Sequence, residues 1–152
     1  MKKNAGFSLI ELIITLAILA FTVSSALFIF QNQLIGNLGS DGQIIVDRLE
    51  DARSRAISGV NGSAWGIHFD NASSTPFYAL FRGTTYSAAS STFFLSGLVQ
   101  FSTPAANTTT DVVFGRLTGA LSATSTIVIS LKTNSTLKET ITINPQGSVT
   151  AQ

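Results

Sequence analysis

Cysteine is absent from the 152 residues, which excludes a disulfide scaffold, a thiol nucleophile and thiolate metal sites. Histidine occurs once, at His68. With no second imidazole to share a metal, it reads as a surface or half-buried polar residue of a strand. Charge is scarce, at 11% of the chain, and the formal net charge of +1 gives no electrostatic footprint for nucleic acid. The acids Asp41, Asp70, Asp111 and Glu139 are scattered, without the spacing of a ligand set or a carboxylate pair. No phosphate-cradling glycine loop is present. No enzyme, cofactor or metal is therefore expected. Apolar residues are abundant, at 45% with a mean hydropathy of +0.37. That is high for a soluble domain, so some apolar surface is expected to be covered by something other than a core.

The apolar excess is concentrated near the start. Lys2 and Lys3 make residues 1–6 a short basic leader, and residues 7–30 carry one charge, Glu11. As a helix the latter stretch is about 36 Å long, enough for a hydrocarbon core of about 30 Å. It is apolar around its circumference, the pattern of a span and not of a surface helix. Its polar residues, Ser8, Thr15, Thr22, Ser24 and Ser25, can return their hydroxyls to the helix backbone. The preceding lysines put the N-terminus in the cytoplasm and everything after Phe30 outside. The alternative is a secretory signal peptide with a small-residue site at Ser24-Ser25-Ala26. Its usual apolar region of about 7–15 residues is shorter than this one.

Gly6-Phe7-Ser8-Leu9-Ile10-Glu11-Leu12 resembles the class III signal of type IV prepilins and type II secretion pseudopilins. The resemblance implies cleavage after Gly6 by a prepilin peptidase and methylation of the new N-terminal Phe7. It also implies an assembly role for Glu11, towards the terminal amine of a neighbouring subunit. The implied partners are that peptidase, other pilin or pseudopilin subunits, and the inner (cytoplasmic) membrane that stores the subunit before it joins a filament. Many pilins carry a proline mid-span; Phe28 stands in that region here, so no kink is implied.

Beyond the span, Gln31-Asn32-Gln33 marks its outer edge, and Gly36, Gly39 and Gly42 follow. Each glycine costs a helix about 1 kcal/mol relative to alanine. They read either as a hinge, with Ser40-x-x-Gln43 as a capping box restarting the helix, or as sites of close packing between helices. Residues 43–58 are amphipathic, with Ile45, Leu49, Ala52, Ala56 and Val60 on one face. Asp47, Arg48, Glu50, Asp51, Arg53 and Arg55 form a solvated face or a subunit contact, with Asp51 and Arg55 as an i,i+4 pair. Gly59 is a natural helix end. From Ala64 the period becomes two, predicting strands at 65–69, 77–81, 98–101, 112–114, 127–131 and 137–143. Turns are predicted at Thr133-Asn134-Ser135 and Asn144-Pro145-Gln146-Gly147, and loops at 87–92 and 103–110.

The expected fold is α+β: a long N-terminal helix, half transmembrane and half amphipathic, packed on a C-terminal antiparallel β-sheet domain, as in pilins. Its parts are a leader (1–6), a transmembrane and filament-core helix (7–30), an amphipathic helix (31–58) and a β-rich periplasmic or extracellular domain (59–152). Arg48-Leu49-Glu50-Asp51-Ala52-Arg53-Ser54-Arg55-Ala56-Ile57, Gly66-Ile67-His68-Phe69, and Ile141, Ile143 and Gly147 resemble the GspH/FimT type of minor pseudopilin. The chain lacks the C-terminal cysteine pair of major pilins and the acidic cluster of calcium-binding major pseudopilins. The expected function is that of a structural, N-methylated subunit of a type II secretion pseudopilus or a type IV pilus. One alternative is a FimT-like DNA-uptake minor pilin using Lys132, Lys138 and Arg116, although three spread charges neutralise few phosphates. The other is a secreted or anchored β-domain that binds a ligand behind an ordinary signal.

Overall fold

The computed structural model describes residues 8–152, without the side chains of residues 26–34. By internal contacts the chain divides into two units, one ending at Leu34 and one beginning at Ile35. Helix α1 spans Leu9–Ile57 as a single element. Of the two readings of the glycine series, the restart at Ser40 does not occur: Ser40 and Gln43 lie inside α1, and Gln43 Nε2 donates to Asp47 Oδ1 at 2.9 Å. Extending a formed helix is far easier than starting one, so the isolated glycines do not stop it. At the other end, Gly59 takes φ 64 and closes the helix as expected. A 3-10 turn, Val60–Gly62, then leads to the strands.

Eight strands follow: β1 Trp65–Asp70, β2 Phe77–Arg82, β3 Ala89–Phe94, β4 Val99–Thr103, β5 Thr109–Phe114, β6 Ser125–Leu131, β7 Lys138–Ile143 and β8 Val149–Ala151. They form two four-stranded antiparallel sheets in the orders β3-β2-β1-β5 and β4-β6-β7-β8, in place of the one sheet expected. Two strands depart from the sequence reading. β3 falls largely in the predicted loop at 87–92, because its polar Ser90, Ser91 and Thr92 are exposed on a sheet edge and its place comes from backbone pairing with β2. β8 is a three-residue edge strand paired with β7 beyond the predicted Asn144–Gly147 turn. That turn closes with Gly147 N–H donating to Asn144 O at 2.9 Å.

The core of the second unit lies where α1 meets both sheets. Ile45, Leu49, Ala52 and Ala56 are fully buried, as the helical spacing predicts, whereas Val60 lies beyond α1 and is exposed. The first sheet contributes Ile67, Phe69, Val112 and Phe114, and the second contributes Ile127, Ile129, Ile141 and Ile143. Each large side chain buried here stabilises by about 1.5–3 kcal/mol. The arginines of α1 are struts and not a solvated face. Arg48 lies 4.4 Å from the Phe93 ring centre, Arg55 lies 5.1 Å from that of Trp65, and Arg53 Nη2 donates to Gln146 O at 3.3 Å. The Asp51–Arg55 pair forms at 3.0 Å and is about 40% exposed, so its own contribution is a few tenths of a kcal/mol.

Candidate functional site

Helix α1 opens on Ser8. The Ser8 N–H donates to Glu11 Oε2 at 3.0 Å, and the Ser8 carbonyl accepts from the Leu12 N–H at 3.2 Å. Glu11 at the third helical position thus supplies the carboxylate half of a capping box, with its charge at the positive end of the helix dipole. The Ser-x-x-Glu/Gln pattern that fails at Ser40 holds at Ser8, where a helix start leaves N–H groups in need of acceptors. The Glu11 side chain is otherwise exposed. The other two predicted site residues, Gly6 and Phe7, lie outside the described residues.

Every side chain over residues 9–25 is exposed, and the large apolar ones among them cover all sides of the helix. The hydroxyls behave as expected: Thr15, Thr22, Ser24 and Ser25 donate to Leu12 O, Leu19 O, Ala20 O and Phe21 O respectively. Such a surface has no partner in water. Among the described residues no helix is long and apolar enough to cross a membrane. Residues 9–25 make about 26 Å of helix against a core of about 30 Å. The side chains of positions 26–30 of the expected span lie outside the described set.

In the second unit, the first sheet gathers groups that the sequence leaves scattered. Trp65 faces α1, so His68 alternates onto the opposite face. There it is only 7% exposed. Its Nδ1 meets Asp111 Oδ1 at 2.5 Å, and its Nε2 lies 4.0 Å from Asp70 Oδ2. The ring stacks on Tyr86 at 3.8 Å, and the Tyr86 N–H donates to Asp111 Oδ2 at 3.4 Å. This arrangement clips the β2–β3 loop over the sheet. Burial pushes the Asp70 carboxyl up, but the N–H groups of Ser73 and Ala72, the Ser73 hydroxyl and His68 outweigh it and hold the group below its ordinary value. Among the described residues no cluster of metal-ligating side chains occurs. The cluster does the work of a loop clasp, assembled by the register His68↔Asp111 across β1 and β5.

The model of the prokaryotic N-terminal methylation motif matches residues 1–27. Among solved structures, the chain is similar to the type IV minor pilin FimU of Pseudomonas aeruginosa strain PAO1. The identity is 16%, the match covers 76% of this chain and 92% of that one, and the TM-score is 0.53. No curated protein matches the chain in sequence. The chain is type IV pilin-like. The motif of this pilin-like chain contains Gly6, Phe7 and Glu11, and it implies processing by a prepilin peptidase and assembly with other pilins.

Of the basic residues weighed for nucleic acid, Lys138 pairs opposite Ser130 in the same β6–β7 hairpin as Lys132, whereas Arg116 stands apart from both. Lys132 Nζ donates to Gly97 O at 2.9 Å, next to Ser96, whose N–H is held by Asp41 Oδ2 at 2.9 Å. Arg116 adjoins Leu117, whose N–H is held by Ala56 O at 2.8 Å. Asp41 and Ala56 are about 22 Å apart along α1, so Lys132 and Arg116 sit at opposite ends of the second unit.

Proposed function

We propose that this chain is a structural subunit of a type IV pilus or a type II secretion pseudopilus, held by its N-terminal helix in the inner membrane with the β-domain outside until it joins a filament. One observation carries the reading: the methylation motif leads directly into a helix that is apolar and exposed on every side. In this reading Gly6 is the residue before the cut, Phe7 is the methylated terminus, and Glu11 receives the terminal amine of a neighbouring subunit. At 4 Å and an effective dielectric near 20 such a pair attracts by about 4 kcal/mol before desolvation, enough to set a subunit in register. The free chain already occupies one Glu11 oxygen with the Ser8 N–H. A carboxylate has acceptor capacity beyond that single bond, so cap and incoming amine are compatible. The separation of Lys132 from Arg116 disfavours the DNA-uptake alternative.

Intact-mass measurement of the mature protein tests the processing, with a start at Phe7 and one added methyl group expected. A start at or beyond Leu27 would mean ordinary signal cleavage and would sink the reading. Charge and cap are then separated by two variants. Glu11→Gln keeps an acceptor for the Ser8 N–H and removes the charge, whereas Glu11→Leu removes both. Both should be processed normally and recovered at least tenfold less in sheared filaments. Normal recovery of Glu11→Gln would show that Glu11 serves only as a helix cap.

A further inference from the structure

Strand register sets the outer face of the first sheet, the one turned away from α1. Gly66, His68 and Asp70 of β1 lie opposite Phe81, Ala79 and Phe77 of β2, and His68 lies opposite Asp111 of β5. The Phe81 ring sits over Gly66, where an added Cβ would come within 3.0 Å of it, and Phe81 is fully buried. Tyr86 of the β2–β3 loop packs edge-on against that ring, with centres 5.5 Å apart. Tyr86 is in turn held by His68, through the ring stack, and by Asp111, through its own N–H. One carboxylate thus serves both the imidazole and the loop backbone, and it ties the cover over Phe81 to the state of the histidine.

His68 stands between two carboxylates, with Nδ1 on Asp111 and Nε2 towards Asp70. A neutral imidazole has one N–H and one lone pair. With the proton on Nδ1, the Nε2 lone pair faces Asp70. With the proton on Nε2, the Nδ1 lone pair faces Asp111. Only the imidazolium offers an N–H to both carboxylates, and only it is drawn to the face of the Tyr86 ring as a cation. The surroundings supply no substitute charge. On this face β2 presents Phe77 and Ala79, and the loop presents Tyr86. Among the described residues neither aspartate pairs with a lysine or an arginine. Asp70 is ionised throughout the range in which an imidazole ordinarily changes charge, about pH 5–8, because its folded value lies below 3.8.

We propose that His68 makes the β2–β3 loop a pH-sensitive cover: its imidazolium bridges Asp70 and Asp111 and locks Tyr86 over Phe81, whereas the neutral ring leaves the loop free to lift and uncover that apolar face. The device belongs to the β-domain and does not depend on the filament reading. Amide hydrogen exchange of the full chain in detergent micelles, followed by NMR at about pH 5.5 and about pH 8, tests it. Each rate is divided by that of an unprotected amide at the same pH. The Tyr86 N–H should be about fivefold better protected at the lower pH, with no matching change at Ile129 of β6, which reports opening of the whole unit. His68→Gln should abolish the pH dependence. Asp70→Asn keeps an oxygen for the Ala72 and Ser73 N–H groups and turns an amide NH2 towards Nε2. It satisfies the neutral ring and should hold the loop down at both pH values, so it decides the matter even if His68→Gln does not fold. Equal protection of Tyr86 at the two pH values in the parent, an equal change at Ile129, or a pH dependence that survives either substitution would overturn the proposal.

Discussion

At the scale of single residues, positive φ values distinguish ordinary turns from an unusual one. Asn61 and Asn107 take φ 54 and 63, a conformation that asparagine tolerates. Leu117 takes φ 65 with nothing in its side chain to favour it. The left-handed conformation costs about 1–2 kcal/mol for such a residue, and glycine loses about 0.5–1 kcal/mol through its freer unfolded chain. Leu117→Gly is therefore expected to raise stability by about 0.5–1 kcal/mol. Denaturant unfolding of the variant beside the parent checks this, and a loss of stability would show that the leucine packs within its own chain.

At the scale of elements, the approach of β7 to α1 decides the role of Gly42. A Cβ at that position would overlap the Glu139 carboxyl, so the third glycine of the series admits a strand side chain and not a neighbouring helix. Glu139 shares the inner face of β7 with Ile141 and Ile143, and burial pushes its carboxyl above the ordinary glutamate value. The folded state thus favours the protonated form. The stability this gives is fully present below the unfolded pKa and is lost as pH rises through the raised folded pKa. Thermal unfolding should show Glu139→Gln more stable than the parent at neutral pH, with the difference closing as pH falls through the raised folded value to the unfolded value of 4.5. Asp70 works the other way. Its folded value is depressed, so its stabilisation is present above the unfolded pKa of 3.8 and is lost only as pH falls through the lower folded value. An unchanged pH profile in Glu139→Gln would mean that the carboxyl is hydrated.

At the scale of the whole molecule, exposed apolar side chains dominate residues 9–25, whereas the buried ones belong to the unit beginning at Ile35. The second unit has its own core, with α1 residues from Ile45 to Ala56 covered by both sheets. A chain beginning at Gly36 should consequently be soluble and give a circular dichroism spectrum dominated by strand, whereas the full chain should require membrane or detergent. Persistent aggregation of the shorter chain would mean that the apolar face of α1 is not covered.

The sequence by itself determined what depends on neighbours along the chain. The spacing of Ile45, Leu49, Ala52 and Ala56 marked the buried helix face, period-two alternation marked β1, β6 and β7, and the left-handed Gly59 marked the helix end. The pilin-like start was legible because a short contiguous string, Gly6 to Leu12, carries it. The tertiary structure alone decided what depends on residues far apart in the chain. β3 has too little apolar content to announce itself and exists through pairing with β2. His68 and Asp111 meet only through the β1–β5 register. Lys132 and Arg116, similar on paper, are parted by about 22 Å along α1. The arginines of the charge run became struts because Phe93, Trp65 and the Gln146 carbonyl were brought beneath them, and local periodicity cannot encode such contacts, since it records which way a side chain points and not what it will meet.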